Sequence, residues 1–140
     1  MDEIGDASAA VQVKLLRVLE TGEFRRVGGV RTLTADVRII AATNQNLPEL
    51  VQSGRFRGDV YHRLNVMTIL LPPLREHKQD IPLLARHLLS HLTYKQRRSV
   101  VLSSEVLDVL MHYDWPGNIR ELRNVLERAV ILSSGDTIQL

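Results

Sequence analysis

The chain has no cysteine. Disulfide frameworks, cysteine-based zinc sites and a cysteine nucleophile are therefore excluded. It also lacks any apolar run of about 18 residues and any signal peptide, so no membrane span or secretion is expected. There is no internal repeat and no low-complexity segment. Lysine is scarce: of 18 basic residues, 3 are Lys and 15 are Arg. Arginine suits bidentate recognition of phosphate and carboxylate, although the same bias follows the base content of coding DNA. What is present is a 140-residue chain, 44% hydrophobic, with a net charge of +2. That is about one ordinary domain, long enough for a real core. A globular, soluble, cytoplasmic protein with no membrane association is expected.

Hydrophobic periodicity divides the chain in two. In "SAAVQVKLLRVLETG", Val11, Leu15, Val18 and Leu19 recur at helical spacing, with Ser8 to cap the start and Gly22 the end. "EFRRVGGVRTLT" predicts two short strands around Gly28-Gly29. In "ADVRIIAATN", Val37, Ile39, Ile40, Ala41 and Ala42 form the short continuous apolar run of a strand buried on both faces of a parallel sheet. "LPELVQSGRFRGDVYHRLNV" reads as two short helices hinged near Gly54 and Gly58, and "MTILLPPL" as a second buried strand stopped by Pro72-Pro73. From about residue 75 the pattern becomes all helical. "DIPLLARHLLSHLTYKQRR" has Asp80 as cap and Pro82 in its first turn, and "SSEVLDVLMHYD" follows. After the turn "WPGN" comes "IRELRNVLERAVILSS". There Asn118 and Glu121 are spaced as a capping box, Gly135 lies just past the end, and Leu122, Val125, Leu126 and Ala129 form the core face.

Several residues could carry chemistry. Ligands of open parallel sheets bind beyond the carboxyl ends of strands. Asp2-Glu3 and Thr43-Asn44 both read as polar strand ends. An Asp there can hold Mg²⁺, an adjacent Glu can polarise an attacking water, and an Asn can orient it. Singly, the acidic pair also reads as a surface or capping pair, and Thr-Asn as a plain turn. Arg57 and Arg63, six apart, are either solvated arginines with partners such as Asp59 or a pair offered to a phosphate in a neighbouring subunit. His87 and His91 have the i, i+4 spacing of two metal ligands, but no nearby residue completes a set, and a polar helix flank reads better. The last two helices could form a DNA-binding helix-turn-helix. Arg120, Arg123 and Arg128 on the second are, however, interleaved with Glu121 and Glu127.

The order of these pieces is more specific than any one of them. "DEIGDASAAVQVKLLRVLETGEFRRVGG", "DVRIIAATNQNL", "GRFRGDVYHRLNV", "LPPLREHKQDIPLLARHLL" and "WPGNIRELRNVLERAVIL" resemble the central ATPase domain of bacterial enhancer-binding proteins. These are the AAA+ activators of sigma-54 RNA polymerase, and the likeness runs over essentially the whole chain. It implies an α/β fold: residues 1–74 as the C-terminal part of the AAA+ P-loop ATPase core, a partial parallel sheet with helices, and residues 75–140 as a helical lid subdomain. It makes Asp2-Glu3 the Walker B pair, with Asp2 on Mg²⁺ and Glu3 activating water. Asn44 becomes the sensor I residue beside Thr43, Arg57 and Arg63 the arginine fingers, and Arg120 the sensor II arginine. ATP and Mg²⁺ are the implied cofactors. The implied partners are further copies in a ring, typically a hexamer, sigma-54 RNA polymerase, and DNA through a domain absent from this chain. The "RRVGGVRT" loop would face the pore side of the ring.

Other parts of the family pattern are missing. Neither the phosphate-binding loop G-x-x-x-x-G-K-[ST] nor the Gly-Ala-Phe-Thr-Gly-Ala loop that contacts sigma-54 occurs in the sequence. The chain is therefore expected to be the second half of an ATPase domain and, alone, not to hydrolyse ATP. The alternative is a non-catalytic oligomerisation module, or a helix-turn-helix DNA-binding module, from a truncated gene.

Overall fold

The computed structural model describes residues 1–94, 100–133, 135 and 137–138. They belong to two compact units, Met1–Ile69 and Leu70–Leu140.

The first unit opens with a 3₁₀ turn, Ile4–Asp6, followed by helix α1, Ala9–Thr21. Gly22 ends α1 at φ 71°, donating its N–H to Val18 O at 3.0 Å. A Cβ there would meet the Ala35 carbonyl at 2.7 Å, so both the backbone angle and the close approach demand glycine. The buried stripe of α1 is Gln12 and Leu15, flanked by half-buried Leu16 and Leu19. Val11, expected on that stripe, is instead exposed, and a glutamine fills the inward position. Strands β1, Glu23–Arg25, and β2, Thr32–Thr34, pair antiparallel with Phe24 opposite Leu33, as the hairpin reading expected. Gly28, at φ 76°, makes the tip turn in which Gly29 N–H reaches Arg26 O. Helices α2, Leu47–Gln52, and α3, Gly58–Leu64, are separated by a bend in which Gly54 adopts φ 72°. Ile4, Leu15, Leu50, Phe56 and Val60 form the unit's core, with Ile39 packed against it.

The two buried strands expected over residues 35–44 and 67–74 are not formed. Val37, Ile40, Met67, Ile69, Leu70 and Leu71 are exposed, and Leu74 begins a 3₁₀ turn instead. A strand inside a parallel sheet has a neighbour on each side; among the described residues the first segment has one partial neighbour and the second has none. Met1 N–H₃⁺ donates to Ile40 O at 2.7 Å, Ala42 N–H to Met1 O at 2.9 Å, and Ile4 N–H to Ala42 O at 3.0 Å. The first two bonds are the bonding pattern of one parallel bridge.

The second unit begins with 3₁₀ turns at Leu74–Glu76 and Lys78–Asp80. Then come α4, Ile81–Tyr94; β3, Val101–Leu102; α5, Ser104–His112; α6, Asn118–Leu132; and β4, Thr137–Ile138. The expected continuation of α4 through residues 95–98 lies outside the described residues. Asp80 precedes α4, but its carboxylate faces the His77 ring at 3.8 Å. Ser103 caps α5, its hydroxyl accepting from Val106 N–H at 3.4 Å. A two-residue parallel pair, β3 with β4, joins the helices. The core is built by rows at i, i+4: Ile81, Ala85 and Leu89 of α4 and Leu122, Leu126 and Val130 of α6, together with Leu110 and Trp115. Val125, expected on the core face of α6, is 37% exposed, and Val130 is buried instead.

Candidate functional site

In the first unit, the hydrogen bonds from residues 1 and 4 to residues 40–42 set two chain ends side by side. Asp2-Glu3 leaves one, and Thr43-Asn44 leaves the other, at a spacing of about 4.8 Å for paired strands. Asp2 Oδ1 accepts the Glu3 N–H at 3.0 Å, so its second oxygen stays available. Glu3 sits in the left-handed region at φ 51°, rare for a residue with a side chain, and turns the chain away from the strand direction. Its carboxylate, like that of Asp2, is exposed. The turn is pressed against its neighbour: a Cβ on Gly5 would lie 2.9 Å from Thr43 Oγ1. Thr43 Oγ1 accepts Gln45 N–H at 3.1 Å, and Gln45 Nε2 donates to Asp6 Oδ1. Asn44 is exposed, and its amide has no partner among the described residues.

The two arginines lie at opposite ends of α3, about 9 Å apart along its axis. Arg57 precedes its first turn, and its guanidinium holds Asp59 through two bonds, Nε to Oδ1 at 3.0 Å and Nη2 to Oδ2 at 2.7 Å. The hydrogen bond from Arg57 holds the Asp59 carboxyl below its usual range, and the same bond raises Arg57. Arg63, in the last turn, lies 3.7 Å from Glu20 Oε1 of α1. Both guanidiniums face solvent. Composition and spacing revealed neither Gly5, which lets the acidic turn approach Thr43, nor Gln12, which is buried at 1% exposure. The Gln12 amide donates to Ala7 O at 2.8 Å and to Arg55 O at 3.1 Å, and its oxygen accepts Arg57 N–H at 2.9 Å. A polar residue at a stripe position is the only signal of it in the sequence.

In the second unit, Arg120 stands in the first turn of α6, exposed and without a bonded partner among the described residues. The turn before it is tightly determined. Trp115 is buried with φ 50°, an outlier for a bulky residue, and its Nε1 donates to Leu110 O at 2.8 Å. The expected capping box is only half made. Glu121 reaches back to Gly117 N–H at 2.8 Å, but Asn118, at φ 51°, spends its side-chain oxygen on Leu74 N–H at 2.8 Å. Asn118 is itself the first helical residue, so its side chain points away from the helix's free N–H groups. Tyr113 donates to the other Glu121 oxygen at 3.2 Å, which pushes its phenol above the usual range. His87 and His91 stack edge to face with ring centres 4.6 Å apart. No group of three or more His, Asp or Glu suited to a metal occurs among the described residues. No helix among them is long and apolar enough to cross a membrane.

Paired strand ends bearing carboxylates and Thr-Asn, short arginine-bearing helices and a separate helical unit define the C-terminal half of a AAA+ ATPase domain. The family models divide the chain in the same way: the Sigma-54 interaction domain matches residues 1–70, and the AAA+ ATPase lid domain matches residues 75–140. The chain belongs to the family of sigma-54-dependent transcriptional activators. It is 51% identical over 139 residues to the transcriptional regulatory protein ZraR of Salmonella typhimurium, covering 99% of this chain and 32% of that protein. It is 53% identical over 138 residues to the Nif-specific regulatory protein of Klebsiella pneumoniae, covering 99% of this chain and 26% of that protein. Among solved structures it is similar to NtrX from Brucella abortus in complex with ATP. There the TM-score is 0.87 at 38% identity, covering 99% of this chain and 31% of that one. The chain thus spans about a third or less of the length of these relatives.

Proposed function

We propose that this chain supplies the water-activating carboxylate, sensor and arginine-finger half of an ATP-hydrolysing AAA+ domain. That domain would remodel sigma-54 RNA polymerase to activate transcription, as the output unit of a two-component or similar regulatory system. The observation that carries the reading is the bonding of Met1 and Ile4 to residues 40–42, which sets Asp2-Glu3 beside Thr43-Asn44.

The donor chemistry fits magnesium and nucleotide. Mg²⁺ prefers oxygen ligands, keeps several waters, and takes one or two carboxylates plus substrate phosphates rather than a protein cage. One free Asp2 oxygen and the exposed Glu3 carboxylate match that demand, and the lack of a larger ligand cluster among the described residues does not oppose it. Bound magnesium would neutralise charge on the transferring phosphoryl group. Asp2 would hold the ion, Glu3 would take a hydrogen bond from the attacking water, and the unpartnered Asn44 amide would sense the terminal phosphate next to Thr43. Arg57 and Arg63, at opposite ends of α3, would serve a neighbouring copy's nucleotide, and Arg120 the nucleotide through the lid. Such use in trans makes hydrolysis depend on a ring, proposed here as a hexamer. DNA contact would belong to another domain.

Phosphate affinity rests largely on a loop this chain does not contain, so the isolated chain is expected not to turn over ATP. In the complete activator, Glu3→Gln should abolish turnover while sparing nucleotide binding. Arg57→Ala or Arg63→Ala should lower kcat by roughly 10³ to 10⁵. Wild-type turnover in either arginine variant would sink the finger assignment, and turnover by this chain alone would sink the division of labour.

A further inference from the structure

We infer that Gln12 is the positioning residue for Arg57, tying the finger's backbone to the turn that follows the acidic pair. The inference rests on the finger role proposed above for Arg57. Gln12 is the one residue of the first unit that is both polar and buried, at 1% exposure, and its side-chain amide makes three hydrogen bonds. Two of them span 43 and 45 residues of sequence, to Arg55 O and Arg57 N–H. The third runs to Ala7 O, directly after the Ile4–Asp6 turn.

The direction of these bonds sets what they can do. Arg57 is the residue before α3, so its extended backbone fixes where its side chain leaves the helix. The Gln12 oxygen clamps that backbone from one side, and the Asp59 carboxylate clamps the guanidinium from the other. A buried amide is costly unless its groups are paired. The three bonds therefore hold only one arrangement of the Arg55–Arg57 backbone. An apolar side chain would pack in the stripe of α1 equally well, but it would leave Arg57 N–H and two carbonyls without a partner.

The test has two arms. In this chain, amide hydrogen exchange is followed in Gln12→Met, which keeps the side-chain bulk. Exchange at Arg57 should quicken while core amides such as Val60 and Leu15 keep their protection. A uniform loss of protection would mark a merely structural role and overturn the inference. In the complete activator, Gln12→Met should lower kcat by roughly 10²-fold, the scale of a small misplacement of a catalytic group, with nucleotide affinity unchanged. Mixing Gln12→Met subunits with Glu3→Gln subunits should then restore turnover. The Glu3→Gln copies lend well-placed fingers to sites whose own acidic pair is intact. A wild-type kcat, or a loss that mixing does not restore, overturns the inference. Should Gln12→Met fail to assemble, Gln12→Asn carries the same readings, because it keeps the amide but draws it back by one methylene. Arg57→Ala is run alongside. If it costs nothing, the finger reading itself fails. If it costs turnover and Gln12→Met does not, only the present inference fails.

Discussion

Gly5→Ala should destabilise the first unit, although the same exchange in an unstrained turn normally stabilises. Gly5 has no positive φ, so alanine meets no backbone penalty there. Replacing glycine under those conditions gains about 0.4–1 kcal/mol by restricting the unfolded chain. Space decides the sign. The new Cβ would stand 2.9 Å from Thr43 Oγ1 and 3.2 Å from two carbons of Gln45. Thr43 cannot simply rotate away, because its hydroxyl accepts Gln45 N–H at 3.1 Å, and Gln45 is held in turn by Asp6. Overpacking of this kind costs about 1–3 kcal/mol. The net expectation is a loss of roughly 0.5–2 kcal/mol, measured by urea unfolding followed by amide hydrogen exchange at first-unit core residues such as Leu15 and Val60. A double-mutant cycle with Thr43→Ala isolates the contact. Removing Oγ1 should recover about half of the loss or more, a coupling near 1 kcal/mol. Strict additivity, or a stabilised Gly5→Ala protein, would refute the close approach of the acidic turn to Thr43.

In the second unit, Leu122→Ala empties a fully buried position between α6 and α4 and should cost about 2–5 kcal/mol in thermal unfolding. A loss below 1 kcal/mol would mean that the core stripe is misassigned. Asp59 should titrate below its ordinary value of 3.8, because the folded state favours its ionised form through Arg57. The pair's contribution is accordingly present above the unfolded pKa and disappears as pH falls through the lower, folded value. Carboxyl-carbon NMR of Asp59 should show that acid midpoint, and Arg57→Ala should return it to the ordinary range. Glu121→Gln should lower the Tyr113 phenol toward its usual range, since the Glu121 hydrogen bond raises it. Tyrosine absorbance titration of the two proteins reads the difference, and an unchanged Tyr113 would remove the Glu121 link from the turn.

Local patterning in the sequence was enough to read the helices, the hairpin and the bend at Gly54, because each is determined by residues a few positions apart. Patterning misjudged the segments whose structure depends on distant neighbours. Residues 35–44 and 67–74 have the apolar runs of buried parallel strands, yet such strands exist only beside other strands, and among the described residues only the short stretch from Met1 to Ile4 bonds alongside residues 40–42 of the first. The same distinction runs through the candidate site. The acidic pair, Thr43-Asn44 and the arginines could be read as residue types, because their chemistry is intrinsic to the side chain. Their supports could not, because those are defined by what they touch. On α1 an apolar-stripe reading favours Val11 and passes over Gln12, the residue that actually turns inward, since periodicity alone gives a buried amide no weight. On α6 the capping-box spacing reads Asn118 as the cap, whereas the left-handed backbone at Asn118 sends its oxygen to Leu74 and leaves Glu121 to close the turn alone. In both places the misjudged residue is a neutral amide bonded to backbone about 44 residues away: Gln12 to the backbone at Arg55 and Arg57, and Asn118, which stands two residues before Arg120, to that of Leu74. Buried Gln and Asn can serve as long-range ties because they can donate and accept at once. A polar residue interrupting an apolar stripe just before or after a charged motif is therefore the sequence feature to weigh as a positioning group. Gln12 is the position in this chain where that rule is most sharply exposed to test.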